Sequence, residues 1–274
     1  MCRSLPKLAR NILLLLKHTA ARPLFAIFLL ALACCAPAAR GAAPAATVQF
    51  AGYTWRVRAG SGGPGPNTWD ASNVWVDSNG ALHLKIAHAN GAWTCAELET
   101  TERLGFGTYQ FQLDGAIDKL DPNVVLGLFT YPPDDVGPDT TNEIDIEFAR
   151  WGTPANPNGN YTVWPAELGR TNSSHTFEFA LNGTYTTQRF QWSHDAIMFQ
   201  SLHGHTDGDA NEFARWEFRP STFAQDIPQR PVPLHLNLWL FGGSPPTDGK
   251  EVEIVVTGLR YTPAGQVFVP LAAG

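Results

Sequence analysis

Alternation is the strongest constraint on this chain: apolar side chains recur at every second residue in many short segments, each closed by a turn signal. Tyr53, Trp55 and Val57 alternate with Thr54, Arg56 and Arg58, and Leu82, Leu84 and Ile86 alternate with His83, Lys85 and Ala87 after the turn pair Asn79-Gly80. Tyr109, Phe111 and Leu113 stand opposite Gln110 and Gln112. Phe177, Phe179 and Leu181 form a further set ended by Asn182-Gly183, and Val252, Ile254 and Val256 make a late strand. No segment reads as an amphipathic helix. With 25 Gly and 21 Pro in 274 residues and only 16% charged, a coiled coil or helical repeat is disfavoured, while 44% hydrophobic residues suffice for a core. The expected fold is all-β, with two antiparallel sheets packed as a sandwich.

Charge is distributed unevenly. Residues 1–41 carry six Lys or Arg and no Asp or Glu, so the remainder holds 13 basic against 25 acidic residues. A body this acidic repels phosphate backbones and anionic lipid, which disfavours nucleic acid and membrane surfaces as partners and favours a neutral one. The basic start, the apolar run Leu24 to Cys35 and the small residues that follow read as a secretory signal over 1–41, cleaved near Ala38 to Ala43. A run of 12 residues is short of the roughly 20 that span a bilayer. A secreted or periplasmic product is expected, without stable membrane insertion after cleavage. The alternative is a retained or lipidated N-terminal anchor.

Cleavage removes Cys2, Cys34 and Cys35. Cys95 alone then remains, so no internal disulfide forms, and among apolar neighbours it reads as a small buried hydrophobe. Residues 42–274 show no linker and no repeat, and are expected to form a single domain acting as a monomer. The glycine-rich stretch Ala59 to Pro66 lacks the Lys-Ser/Thr pair of a phosphate loop and reads as a plain turn.

Two segments carry unusual side chains. In Glu143-Ile144-Asp145-Ile146-Glu147-Phe148 the period-two rule sends Ile144, Ile146 and Phe148 to one face and all three acids to the other. Same-face Cα atoms then lie about 6.6 Å apart, and a solvated strand face would mix charge signs rather than accept that repulsion. Calcium prefers bent loops with carbonyl ligands. The chemistry that wants such crowding is glycosidic bond cleavage, which needs one protonated and one ionised carboxyl; a central carboxylate that disfavours ionisation of its neighbours supplies the difference. The pattern is symmetric, so spacing alone does not say which Glu is which. In Leu234 to Phe241 four leucines share one face, while His235, Asn237, Trp239 and Phe241 share the other. An aromatic platform beside amide and imidazole groups suits a sugar, and a second buried face with satisfied polar groups is the alternative.

Together these residues resemble glycoside hydrolase family 16, the retaining β-glucanases and related enzymes built on a concanavalin-like jelly roll. Glu143 to Phe148 resembles the family's active-site signature. Cys95-Ala96-Glu97 with Gly105 to Tyr109 looks like its upstream strand pair, Phe129-Thr130-Tyr131 like the strand before the signature, and Asn237-Leu238-Trp239 like its late cleft strand, covering about residues 74 to 262. The resemblance implies Glu143 as nucleophile, Glu147 as general acid and then base, and Asp145 as the residue that holds the nucleophile and tunes both. It also implies substrate contacts from Glu97, Phe129, Tyr131, Trp164, Asn237 and Trp239, with no cofactor or catalytic metal and a structural calcium left open. The single residue between Asp145 and Glu147 is similar to the lichenase and xyloglucan branch and tilts the expected substrate to a β-1,3/1,4-glucan. Departures exist: Thr141 stands where lichenases carry Trp, and Leu98-Glu99 where they carry a residue followed by Arg. Trp151 is a further aromatic that the Arg150 to Asn160 loop could bring to the cleft.

His203 to Asp209 alternates ligand types but reads as a solvated turn rather than a cation seat. Gly-x-Ser-x-Gly and His-Glu-x-x-His are absent, which removes serine-hydrolase and zinc-protease readings. Asn160, Asn172 and Asn182 open acceptor sequences for glycosylation. The expectation is a secreted endo-acting β-glycosidase on a polysaccharide; a transglycosylase using the same residues and a non-catalytic carbohydrate-binding module stay open as rivals.

Overall fold

A computed structural model describes residues 45–267. The expected signal segment and its three cysteines lie outside the described residues.

The alternating segments become strands of two antiparallel sheets. The first runs in spatial order Thr47–Phe50, Tyr53–Val57, Ala96–Thr100, Leu234–Leu240, Val124–Thr130, Ile144–Phe148, Gly159–Val163 and Ser173–Phe177. The second runs Glu212–Phe218, Ile197–His203, Tyr185–Trp192, Gly107–Asp114, Val252–Pro263, Leu82–Ala89 and Val74–Val76, with Ala92–Thr94 paired beside Leu82–Ala89. This is the expected β-sandwich of the jelly-roll type. The one α-helix among the described residues, Phe223–Asp226, is a single turn.

Side chains of the two inner faces meet in one apolar core. Leu234, Leu236, Leu238 and Leu240 enter it from one strand and Ile144, Ile146 and Phe148 from another, all essentially without solvent contact. They face Phe111, Phe190, Phe199 and Ile254 from the second sheet. Burying each such side chain contributes about 1.5–3 kcal/mol, so these seven hold the register of the central strands. The opposite face of the same strands is thereby fixed as well: His235, Asn237 and Trp239, Phe129, and the acids all project away from the core.

One strand is shorter than its alternation suggests. Ser173–Phe177 ends at Phe177, and Phe179 leaves the ladder because Asn158 takes over both of its backbone groups. The Asn158 amide nitrogen donates to Phe179 O at 2.9 Å, and Asn158 Oδ1 accepts from Phe179 N at 3.0 Å. Phe179 still buries its ring against Phe148 and Phe213. The glycine stretch is likewise more than a turn. Gly60–Gly62 pairs with Asn67–Trp69 as a small hairpin, and its Gly63-Pro64 tip reaches the cleft described below. Cys95 is buried and unpaired, with burial pushing its thiol up to about 11.

The His203 to Asp209 loop is solvated in part, with His205, Gly208 and Asp209 exposed, but its carboxylates are held by the sheet beneath. It lies over the outer face of the second sheet, where Asp209 accepts from Arg189 at 2.8 Å and Asp207 accepts from Gln110 at 2.7 Å and from Arg260 at 2.5 Å. His205 Nε2 meets Leu113 O at 2.9 Å. Guanidinium groups therefore occupy the carboxylates that a cation would need, and among the described residues no cluster of metal-ligating side chains forms.

Candidate active site

The outward face of the first sheet floors a cleft of about 830 Å³. Strand register orders its side chains in two rows. One row runs Glu97, Asn237, Gly127, Glu147, Asn160, and the next runs Glu99, His235, Phe129, Asp145, Thr162. Glu143 lies just before its strand, where its carbonyl accepts from Trp164 N at 2.9 Å and extends the ladder by one residue. All nine side chains expected from sequence, Glu143, Asp145, Glu147, Glu97, Phe129, Tyr131, Trp164, Asn237 and Trp239, line this cleft.

The acids are not equivalent. Asp145 is buried, and burial together with the charges of Glu143 and Glu147 drives it well above the usual carboxylate range. Its contact with Glu143 favours the protonated form of Asp145 and the ionised form of Glu143. That contact opposes the rise of Glu143, which burial and then the charges of Glu147, Asp139 and Glu97 push up to about 8. Trp164 Nε1 donates to Asp145 Oδ2 at 3.0 Å and fixes its orientation. Glu147 has a different partner: the amide nitrogen of Asn160, directly across the strand pair, donates to its Oε2 at 3.2 Å. Burial pushes Glu147 up to about 7. Burial and mutual repulsion thus disfavour full ionisation of the triplet. Its proton-sharing pair is Glu143–Asp145, while Glu147 stands apart. The symmetry left in the sequence is broken by neighbours from other strands.

Around the acids, Gly127 makes room. A Cβ there would meet Asn237 Oδ1 at 2.4 Å, so only glycine lets the Asn237 side chain lie over the strand that separates it from Glu147. Asn237 Oδ1 is buried without a hydrogen-bond partner. Glu97 is tied by Arg58, whose Nη1 donates to Oε2 at 2.7 Å while its guanidinium stacks on Trp69 at 4.5 Å. Trp239 shares one end of this face with Trp151 and the half-exposed Phe241, at centroid distances of 6.5 and 6.4 Å. Thr141 faces away from the cleft, its hydroxyl donating to Pro138 O at 2.7 Å. Asp139, two residues earlier, enters the cleft instead, beside Tyr131, whose phenol burial and the Asp139 charge push upward.

Sequence reasoning missed Asp139, Glu99 and Arg58 as cleft residues and Asn160 as the partner of Glu147. Asn160 is buried in its strand and bonded to Glu147, so it is not a glycosylation acceptor. Its signal was the Asn160/Thr162 alternation, which is meaningful only once the pairing with Glu147 is known.

Fold and site together define a class: two-sheet β-sandwiches whose first sheet carries a carboxylate-floored cleft. Residues 66–256 match the family model "Glycosyl hydrolases family 16". The chain belongs to that family. A β-glucanase of Paenibacillus polymyxa is 28% identical over 173 residues, which are 63% of this chain and 64% of that protein, so the chain spans somewhat less than two thirds of this relative. Among solved structures, the β-glucanase of Bacillus licheniformis superposes with a TM-score of 0.56 at 22% identity, covering 76% of this chain and 91% of the other. A lichenase from a mouse hindgut metagenome gives 0.55 at 24%, covering 76% and 92%. These likenesses show the fold.

Proposed function

We propose that the protein is a retaining endo-β-glycosidase of β-1,3/1,4-glucan, secreted or periplasmic, acting as a monomer without a cofactor. The observation that carries this reading is the unequal partnering of two glutamates on one strand face: Glu143 is in contact with Asp145, while Glu147 is held by Asn160. A hydrogen bond to its charged form favours Glu143 as carboxylate and nucleophile. Burial raises both, Glu143 to about 8 and Glu147 to about 7, so these values do not rank acid over nucleophile, and Glu147 is assigned the proton for the leaving oxygen by the family resemblance and by its separate partner Asn160. Glu143 would attack the anomeric carbon as Glu147 protonates the departing glycosidic oxygen. Water deprotonated by Glu147 would then release the glycosyl-enzyme and restore both groups. Asn237 and Glu97 offer hydroxyl partners on the next strands, and Trp239 an apolar platform. The family, and the named activity of the β-glucanase relative, support the substrate class.

The test is reducing-end release from an unsubstituted 1,3/1,4-glucan, with products sized so that hydrolysis is distinguished from transfer to another chain. Glu143→Gln and Glu147→Gln should each lower the rate by about 10³-fold or more with far-UV dichroism unchanged. Parent-like turnover in either variant overturns the assigned roles.

A further inference from the structure

The outer face of the second sheet, on the opposite side of the sandwich from the cleft, carries a row of side chains that the core does not use. Strand register sets Tyr185 beside Asp114, Asp114 beside Val255, Val255 beside His83 and His83 beside Trp75. Alternation turns all five outward, because their chain neighbours Thr186, Leu113, Val256, Leu84 and Val74 are buried. The row crosses five strands and ends in an aromatic ring on each side, the two separated by four strand spacings, about 19 Å.

Each ring is backed by an imidazole. Trp75 stacks on His83 at a centroid distance of 4.7 Å with 12° between the planes, and Tyr185, 56% exposed, packs on His205 at 4.7 Å. The imidazoles are held in turn. His83 lies between Glu253 Oε1 at 2.8 Å and Asp77 Oδ2 at 3.5 Å, and His205 Nε2 meets Leu113 O at 2.9 Å. Val74–Val76 is the last strand of this sheet, so no further strand pairs beyond Trp75. Rings fixed from behind are flat apolar surfaces with little freedom left to lose on binding. Between them Val255 supplies an apolar floor and Asp114 an acceptor for hydroxyl groups. Lys85, one row on, is committed to Glu251 at 2.7 Å. A protein partner would want a continuous apolar patch, and an anionic polymer would meet the Asp114 and Glu253 carboxylates. An uncharged sugar chain, with apolar C–H faces and hydroxyl edges along its length, fits both the rings and the acids.

We propose that Trp75 and Tyr185, with Val255 and Asp114 between them, form a second polysaccharide-binding surface for an uncharged glucan chain, on the face of the molecule opposite the cleft. It takes no part in bond cleavage. It holds one stretch of polymer while the cleft works on another, and two sites engaged on one polymer raise retention beyond either alone. The choice of ligand rests on the glycosidase reading of the cleft, and substrate length keeps the tests of the two apart.

Affinity electrophoresis through gels containing long unsubstituted 1,3/1,4-glucan, run in the catalytically silenced Glu143→Gln background, reads retention without cleavage. Tyr185→Ala and Trp75→Ala should each lower the apparent affinity about threefold, and the double variant should lower it about tenfold or more. In the active enzyme the same replacements should slow hydrolysis of insoluble glucan and leave kcat/KM unchanged on an oligosaccharide too short to span the two rings. Tyr185 is largely exposed, so Tyr185→Ala keeps the test decisive if the Trp75→Ala protein does not fold. Parent-like retention in Tyr185→Ala overturns the surface site and leaves the glycosidase reading intact. An equal loss of short-substrate turnover means that the change reaches the cleft, and overturns it as well. A concentration-dependent dimer of the parent that Tyr185→Ala dissolves assigns the row to a second copy of the chain and overturns the sugar site. Turnover of short substrate without retention on neutral glucan overturns the surface alone; absence of both overturns the glycosidase reading and the surface with it.

Discussion

Asn160 lies directly across its strand pair from Glu147 and donates to Glu147 Oε2 at 3.2 Å. Because this bond favours the charged form, it holds the acid below where burial alone would put it. On the proposed roles Glu147 must be protonated and Glu143 ionised, so kcat/KM should peak between about pH 7 and 8 and fall on the alkaline side as Glu147 ionises. Replacing Asn160 with Leu removes the donor and should move that alkaline limb upward by up to about one pH unit. An unmoved limb in the pH–rate profile would show that a different group sets it.

The acids also make stability depend on pH. Glu143 and Glu147 have folded-state values raised from 4.5 to about 8 and about 7, so the folded protein binds their protons more tightly than the unfolded chain does. Their stabilising contribution is complete below about pH 4.5 and is lost as pH rises through 7 to 8. Glu147→Gln cannot lose a proton there. It should exceed the parent by about 2 kcal/mol at pH 9 and match it near pH 4 in denaturant titrations. A pH-independent difference contradicts the linkage.

Gly127→Ala tests the packing under the sugar. The added Cβ meets the far end of the Asn237 side chain, which can swing aside, rather than backbone. Stability should therefore drop by no more than about 1 kcal/mol, while KM rises about tenfold as Asn237 is displaced. A large loss of melting temperature with KM unchanged would place the cost in the sheet instead.

Trp164→Phe keeps an aromatic ring but deprives Asp145 Oδ2 of its donor at 3.0 Å. With that oxygen unsatisfied, Asp145 is less well aimed at Glu143, and kcat should fall about 10- to 100-fold with KM little altered. Single-turnover kinetics check this: an unchanged rate of glycosyl-enzyme formation counts against it.

What could be read from the chain was whatever is encoded within a few residues. The two faces of Glu143 to Phe148 and of Leu234 to Leu240 follow from period two and appear as expected, while Phe241 leaves the strand and opens a 3₁₀ turn. What escaped depends on partners distant in sequence. Alternation carried the strand on to Leu181, because nothing local reveals that Asn158 captures the backbone of Phe179. His203 to Asp209 looked like a free turn because its guanidinium partners are at positions 189 and 260. The unequal partnering of Glu143 and Glu147 was hidden for the same reason: Asn160, which bonds Glu147 alone, becomes its neighbour only when the strands pair.

The acid strand has a final consequence for how such a protein can change. Ile144, Ile146 and Phe148 are sealed in the sandwich while the intervening letters do the cleft's work, so a slip of one residue would drive carboxylates into oil and strand three greasy groups in water. Mutation can tune either set in place but cannot slide it. Change at this cleft is therefore confined to exchanging side chains in place or altering loops such as the one bearing Thr141, never to sliding the central strands past one another.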